Sequence, residues 1–299
     1  MPEATAEPQT KPPCWPNDPD WLDGTTEIFL PSEKYLKACW DADILDIDGV
    51  LTVSWRPVPG AAEAVARLRA AGFAVALVTN TTSQTRAWIA ATLAEAGFGV
   101  GPGDVFTAPA ITAAYLARNH PGARCALLNS GDISADLPGV HITDDPAPDV
   151  VILGGAGPEF SYPALNRVFG YLLGGARLVA MGRNLYWRTG SGLQLDTGAF
   201  LAGLEQAAGV RAEVTGKPSA AFFATALAAV GADAPQAVMV GDDIEADVLA
   251  AQRHGLTGIL VRTGKYRPET LRNAPGPPDQ VIDSVADLPG LLIPGDGSD

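Results

Sequence analysis

Short apolar runs alternate with helix-patterned stretches in two separate blocks of this chain, and no other feature restricts its fold as much. In the first block Ile44, Leu45 and Ile47 make a short apolar strand, Ala61 to Ala71 (AAEAVARLRAA) spaces its apolar residues as a helix does, and Phe73 to Val78 (FAVALV) is continuously apolar. Ala87 to Ala96 and Ile111 to Ala117 read as further helices, the first stopped by Gly97. The second block repeats the pattern: Ala220 to Val230 helical, Ala237 to Val240 strand, Glu245 to His254 helical, Gly258 to Val261 strand, and a weak pair around Val281 and Leu291. Strand, crossing helix, strand is the grammar of parallel pairing, and runs apolar on both faces belong in a sheet covered on both sides. The expected fold is α/β, a Rossmann-like doubly wound parallel sheet.

Between the blocks, residues 121–211 carry strands of their own (Cys125 to Leu128, Val150 to Leu153, Leu178 to Ala180) and a helix from Tyr162 to Leu173. Both flanking blocks are needed to complete one sheet, so this stretch reads as an inserted smaller α/β domain. The expected division is an N-terminal extension over 1–40, a core over 41–120 and 212–293, the insertion over 121–211, and a flexible tail over 294–299. The extension is rich in Pro and polar residues but contains Trp15, Trp21 and, at its end, Trp40, which could pack across the core or serve a partner.

Composition narrows the function. Hydrophobic residues at 47% and charged residues at 18% exclude a chain disordered throughout, and no run of eighteen apolar residues offers a membrane span. A balance of 20 basic against 34 acidic residues argues against nucleic-acid or anionic-membrane partners. An anionic substrate must therefore find a local positive site. Cys14, Cys39 and Cys125 form neither a disulfide framework nor a zinc pattern, and the start MPEATAEPQTKPP lacks a secretory signal, so a cytoplasmic location is expected.

The sharpest local feature is Asp46-Ile47-Asp48-Gly49 at the end of the first strand. Two carboxylates at a strand end point into the crevice where α/β folds bind ligands, and so close together they repel. They call for a shared proton or a cation, and a hard divalent ion such as magnesium suits oxygen ligands while leaving room for phosphate. An EF-hand loop does not fit, because Leu51 and Pro57 stand where its Gly and Glu belong. A second acidic cluster, Gly241-Asp242-Asp243-Ile244-Glu245-Ala246-Asp247, follows the apolar run 237–240; Glu245 and Asp247 also read as acids that stabilise a helix start. Thr79-Asn80 puts a hydroxyl and helix-opening N–H groups at another strand end, and Lys217 offers a point charge for phosphate. Their plainer readings are a helix cap and a surface lysine. Gly216-Lys217 is no P-loop, since Arg211 stands where its first Gly is required.

Taken in order, Asp46-x-Asp48-Gly49, Thr79-Asn80, Gly216-Lys217-Pro218 and Gly241-Asp242-Asp243 with Asp247 resemble the four motifs of the haloacid dehalogenase superfamily. The insertion resembles the type II cap of its subfamily IIA, the NagD-like and p-nitrophenyl phosphatase type. Within that subfamily, SGLQLDTGAFLAGLEQAAGVRAEVTGKPSAAFFATAL and VGDDIEADVLAAQRHGLTGILVRTGKYRPE resemble the phospholysine phosphohistidine inorganic pyrophosphate phosphatase group. Some of that group carry Ser where this chain has Asp48, so the acid pair here follows the general superfamily pattern.

The resemblance implies a magnesium-dependent phosphatase acting on a small phosphorylated metabolite, a phosphomonoester or pyrophosphate. It implies Asp46 as nucleophile and Asp48 as acid and base. The Asp46 carboxylate, the Asp48 carbonyl and Asp242 would hold Mg2+, with Asp243 and Asp247 in support. Thr79, Asn80 and Lys217 would hold phosphate. Arg183 and Asn184 in the cap, and Trp55 in a flap beyond the first motif, are candidates to meet the leaving group. Caps of this type often mediate homodimers. A phosphomutase, a phospho-accepting switch and a non-catalytic scaffold remain alternative readings.

Overall fold

The computed structural model describes residues 40–189 and 192–293. The expectations for Trp15, Trp21, Cys14, Cys39 and the tail at 294–299 lie outside these residues.

In chain order the core opens with β1 (Ala42–Asp46), a short hairpin of β2 (Thr52–Val53) and β3 (Arg56–Pro57), α1 (Ala61–Ala70), β4 (Ala74–Thr79), α2 (Arg86–Glu95), β5 (Val105–Thr107) and α3 (Ala108–Asn119). The insertion follows with β6 (Arg124–Leu128), β7 (His141–Ile142), β8 (Val150–Leu153), α4 (Tyr162–Leu173), β9 (Arg177–Ala180), the hairpin β10 (Tyr186–Thr189) and β11 (Gly192–Leu195), α5 (Thr197–Ala208) and β12 (Glu213–Val214). The chain then returns through α6 (Ala220–Val230), β13 (Ala237–Gly241), a π-helical stretch Ile244–Leu249 that tightens into α7 (Ala250–Arg253), β14 (Thr257–Val261), α8 (Pro268–Arg272), β15 (Gln280–Ile282) and α9 (Leu288–Leu292). Among the described residues no helix is long and apolar enough to cross a membrane.

The core sheet runs β15-β14-β13-β1-β4-β5, parallel throughout. Every residue of β1 is buried, as a central strand covered on both faces requires. Leu45, Val65, Leu68, Ile89 and Leu93 pack on one face of the sheet, while Ile44, Val78, Ile111, Phe222 and Phe223 pack on the other. Successive strands leave β1 in one direction through β4 and β5, then in the other through β13, β14 and β15. This reversal opens a crevice at the carboxyl ends of β1 and β13. Register carries the motifs to it: Asp46 pairs with Val78, just before Thr79, and Leu45 pairs with Val240, just before Gly241.

The insertion builds its own parallel sheet, β12-β9-β8-β6-β7. Its edge strand β12 falls just past the boundary expected at residue 212. There Glu213 gathers the chain's two crossings between the sheets, accepting hydrogen bonds from Tyr115 Oη (2.8 Å) and Arg177 and pairing with His120 Nε2 (2.7 Å).

Several elements differ from the sequence expectations. The first strand ends at Asp46, so Ile47 belongs to the turn. β5 has three residues, too few for periodicity to register. Helix α5 is capped by the Asp196 carboxylate and closed by left-handed Gly209, signals that bracket TGAFLAGLEQAA. Trp40 packs on the core and its indole N–H donates to Thr257 Oγ1 at 3.1 Å.

Candidate active site

Four charged groups from four segments meet at the crevice. Lys217 Nζ lies 2.7 Å from Asp46 Oδ1 and 2.7 Å from Asp247 Oδ1, and all three side chains are buried. The Phe222 ring lies 5.8 Å from Nζ. Asp242, from the end of β13, is 2% exposed; its Oδ2 accepts the Lys265 backbone N–H at 2.7 Å, while Oδ1 has no hydrogen-bond partner. Asp46, Asp242 and Asp247 each offer an oxygen within 4.8 Å of the others.

Backbone geometry makes room for this cluster. Gly49 has φ 95° and Gly264 has φ 61°, and a Cβ on either would collide with the Asp242 carboxylate. Thr263 Oγ1 donates to the Gly49 carbonyl at 2.5 Å, so the segment after β14 is pinned to the turn after β1.

Electrostatics follow from crowding in a buried place. Burial, with Asp46 and Asp247 nearby, pushes Asp242 up to about 7; burial and Asp46 likewise push Asp247 up to about 6, against the pull of Lys217. Burial would lower Lys217, but Asp247 and Asp46 outweigh it and hold the ammonium charged. One lysine is not enough positive charge for three carboxylates. An orphaned Asp242 oxygen facing two further carboxylates is a donor set that a hard divalent cation fits.

The remaining expected residues are placed as follows. Asp48 is exposed in the turn after β1, and its side chain is not part of the three-carboxylate group. Asp243 caps the helix behind the site, its Oδ1 accepting from the N–H groups of Glu245 (3.1 Å) and Ala246 (3.0 Å), and its own N–H reaches Asp247 Oδ2 at 3.2 Å. Thr79 and Asn80 do not open a helix, which corrects that expectation: α2 begins at Arg86, capped by Thr85, and a loop intervenes. Thr79 Oγ1 accepts from the Thr81 N–H at 3.0 Å and donates to Thr81 Oγ1 at 2.9 Å. Asn80 clamps Lys217 in both directions, Oδ1 accepting the Lys217 N–H at 2.9 Å and Nδ2 donating to its carbonyl at 3.1 Å.

The cap residues fare differently. Both terminal nitrogens of Arg183 are engaged by Glu205, at 2.9 and 2.6 Å, which directs that side chain into the cap's own scaffold. Asn184 is exposed, and its carbonyl accepts the Gly198 N–H. Trp55 adopts φ 63° at the tip of the β2–β3 hairpin and packs edge-on against Trp88, ring centroids 5.0 Å apart. The cap meets the loop after β4 through Asn129, whose Nδ2 donates to the Thr82 carbonyl at 3.3 Å. Lys265, Thr263 and Asn129 were not singled out from sequence. The signal for the first two was available, since Thr263-Gly264-Lys265 closely follows an apolar strand, the placement that identified Asp46 and Asp242.

Comparison with known proteins agrees with this geometry. A family model described as haloacid dehalogenase-like hydrolase matches residues 44–143, and a second, HAD-hydrolase-like, matches 214–288. Phospholysine phosphohistidine inorganic pyrophosphate phosphatase of Homo sapiens is 38% identical over 256 residues, covering 84% of this chain and 93% of that protein. Among solved structures, NagD from E. coli superposes with a TM-score of 0.76 at 31% identity, covering 83% of this chain and 98% of its own. The p-nitrophenyl phosphatase from Archaeoglobus fulgidus gives 0.80 at 27% identity, covering 85% and 100%.

Proposed function

This chain belongs to the haloacid dehalogenase-like hydrolases, and we propose that it is a magnesium-dependent phosphatase that hydrolyses a small phosphorylated metabolite through an aspartyl-phosphate. The observation that carries this reading is the buried Asp46–Lys217–Asp247 array beside an unpartnered Asp242 oxygen. It is a site short of positive charge, built next to a carboxylate at a strand end.

In this reading Asp46 attacks phosphorus in line; a bond forms from its free oxygen as the bond to the leaving oxygen breaks. Asp48, exposed at the crevice, gives the leaving oxygen its proton and later takes one from the water that cleaves the aspartyl-phosphate. That restores both residues and releases inorganic phosphate. Lys217 balances charge on Asp46 and on the phosphoryl oxygens. Thr79 Oγ1 and the Asn80 N–H hold those oxygens, with Thr79 exchanging its bond to Thr81 for one to phosphate. Asp46, Asp242 and the Asp48 carbonyl would hold Mg2+, which supplies charge neutralisation between nucleophile and phosphate. Asp243 and Asp247 support the array by fixing the helix start and orienting Lys217. Residues 41–120 and 212–293 serve as catalytic core and 121–211 as cap; two separate parallel sheets support the division, with the cap sheet extending to Val214 through β12.

The test is inorganic phosphate release from a panel of phosphoesters and diphosphate, with magnesium or with EDTA, for wild type and Asp46→Asn. Magnesium-dependent release lost in the variant is expected. Phosphate transferred to a second hydroxyl, or a persistent phosphoprotein with no release, would overturn hydrolysis.

A further inference from the structure

We propose that Lys265 is a second anion-holding residue of this site, selecting substrates that carry another anionic group, phosphoryl or carboxylate, beside the scissile phosphoryl. This deepens the phosphatase reading and rests on it.

The two lysines at the crevice are in opposite situations. Lys217 is consumed, its ammonium 2.7 Å from each of two carboxylates and buried beneath the array. Lys265 comes from the segment after β14, at the same carboxyl edge of the sheet. Its backbone is locked to the array: its N–H donates to Asp242, the glycine before it packs directly on Gly49 and Asp242, and Thr263 holds the Gly49 carbonyl. Yet among the described residues its ammonium makes no ion pair. The residue is exposed, while its ammonium is partly desolvated and lies in the field of Asp242, Asp46 and Asp247, which hold it charged.

The consequence concerns charge once the site is loaded. Those carboxylates attract Lys265 only while their charge is unengaged. A divalent cation held by Asp46 and Asp242 takes up that charge and leaves Lys265 as an uncompensated cation at the mouth of the crevice, where a partner is worth most. The transferred phosphoryl already answers to Lys217 and to the cation. What remains for Lys265 is a further anionic group on the substrate, within reach of a flexible four-carbon stem. In a chain of net charge −14 this is also where a multiply charged anion gains entry.

The experiment uses the full chain at fixed free magnesium, comparing wild type, Lys265→Met and Lys265→Arg on diphosphate and on 4-nitrophenyl phosphate. Lys265→Met is expected to raise KM for diphosphate on the order of 10-fold, to leave KM for 4-nitrophenyl phosphate within about 2-fold, and to be rescued by Lys265→Arg. A second arm titrates imidodiphosphate and methylphosphonate calorimetrically into the same proteins; wild type should prefer the diphosphate analogue and Lys265→Met should lose that preference. Equal effects on both substrates and both ligands, a shifted magnesium requirement, or no effect would overturn the assignment. If wild type releases phosphate from neither substrate, the phosphatase reading is decided by the wider panel, and the binding arm still decides whether Lys265 holds the second anion.

Discussion

The core crevice and the inserted cap both hold acidic and basic side chains in close contact, and they use them in opposite ways. In the cap, charge meets charge in complete sets. Arg124 is divided between Asp145 and Asp149, Arg183 grips Glu205, and Glu213 is shared by Arg177, His120 and Tyr115. In the crevice three buried carboxylates confront one ion-paired lysine, and one Asp242 oxygen has no partner. Completed pairs hold a scaffold together; an incomplete set is held in place by the fold so that something else can complete it. By that criterion Arg183 belongs to the architecture and Lys265 to the chemistry, although the sequence favoured the former.

The contrast breaks most decisively at Asp46. Asp46→Asn keeps the shape of the side chain, so its melting curve should stay near that of wild type while turnover falls on the order of 10⁴-fold or more; measurable turnover near wild type would remove the crevice from the chemistry. Next in size, Lys217→Met should cost on the order of 10²- to 10³-fold in kcat, measured by phosphate release, because it removes the charge facing both Asp46 and the phosphoryl oxygens. The same contrast predicts that the crevice, and not the cap, answers to metal. Magnesium at about 100 times its dissociation constant should stabilise the chain by about 2.7 kcal/mol over EDTA in a calorimetric scan, an increment that Asp242→Asn abolishes.

Asp43 sharpens the comparison, because it is an unpartnered acid outside the site. It lies on β1 three residues before Asp46, on the opposite face of the strand, with both carboxylate oxygens buried and unbonded. Burial pushes it up to about 8, so the folded chain retains a proton that the unfolded chain has already released. For an acid raised in this way, stability falls as pH climbs from the unfolded carboxyl range towards about 8 and levels off beyond. Asp43→Asn should remove this dependence, at most about 1.4 kcal/mol per pH unit, seen as a melting-temperature advantage over wild type that grows from pH 5 to pH 8. An advantage independent of pH would mean that Asp43 is ionised in the fold. The smallest effect is expected at Arg183. Arg183→Ala should lower stability by about 1 kcal/mol, given its solvent screening, and leave KM for the best substrate unchanged; a raised KM would return it to the leaving-group site.

What sequence could disclose follows from the range of the forces involved. The parallel core and the acids Asp46 and Asp242 were legible because apolar runs and the acid following them are neighbours in the chain. Lys217 was legible through its place in an ordered set of short motifs. Lys265 carried the same strand-end signal and was passed over, since a lone lysine in TGKYRPE looks like any surface lysine until β14 is set beside β13. The Arg183–Glu205 pair was not legible for the same reason: the two lie 22 residues apart and meet only once α5 is in place. The loop between Thr79 and α2 was read as a helix start because a threonine before polar residues is a common cap, whereas the cap used is Thr85.

The two-way amide clamp between Asn80 and Lys217 has a consequence for how such proteins can be recombined. Its members flank the whole stretch 81–216, so the clamp closes the anion-holding corner directly between two segments far apart in the chain. The cap still reaches that corner, because the Thr215 N–H, two residues before Lys217, donates to the Ala180 carbonyl of β9. A cap grafted from another chain would have to keep this strand pairing for the corner to assemble.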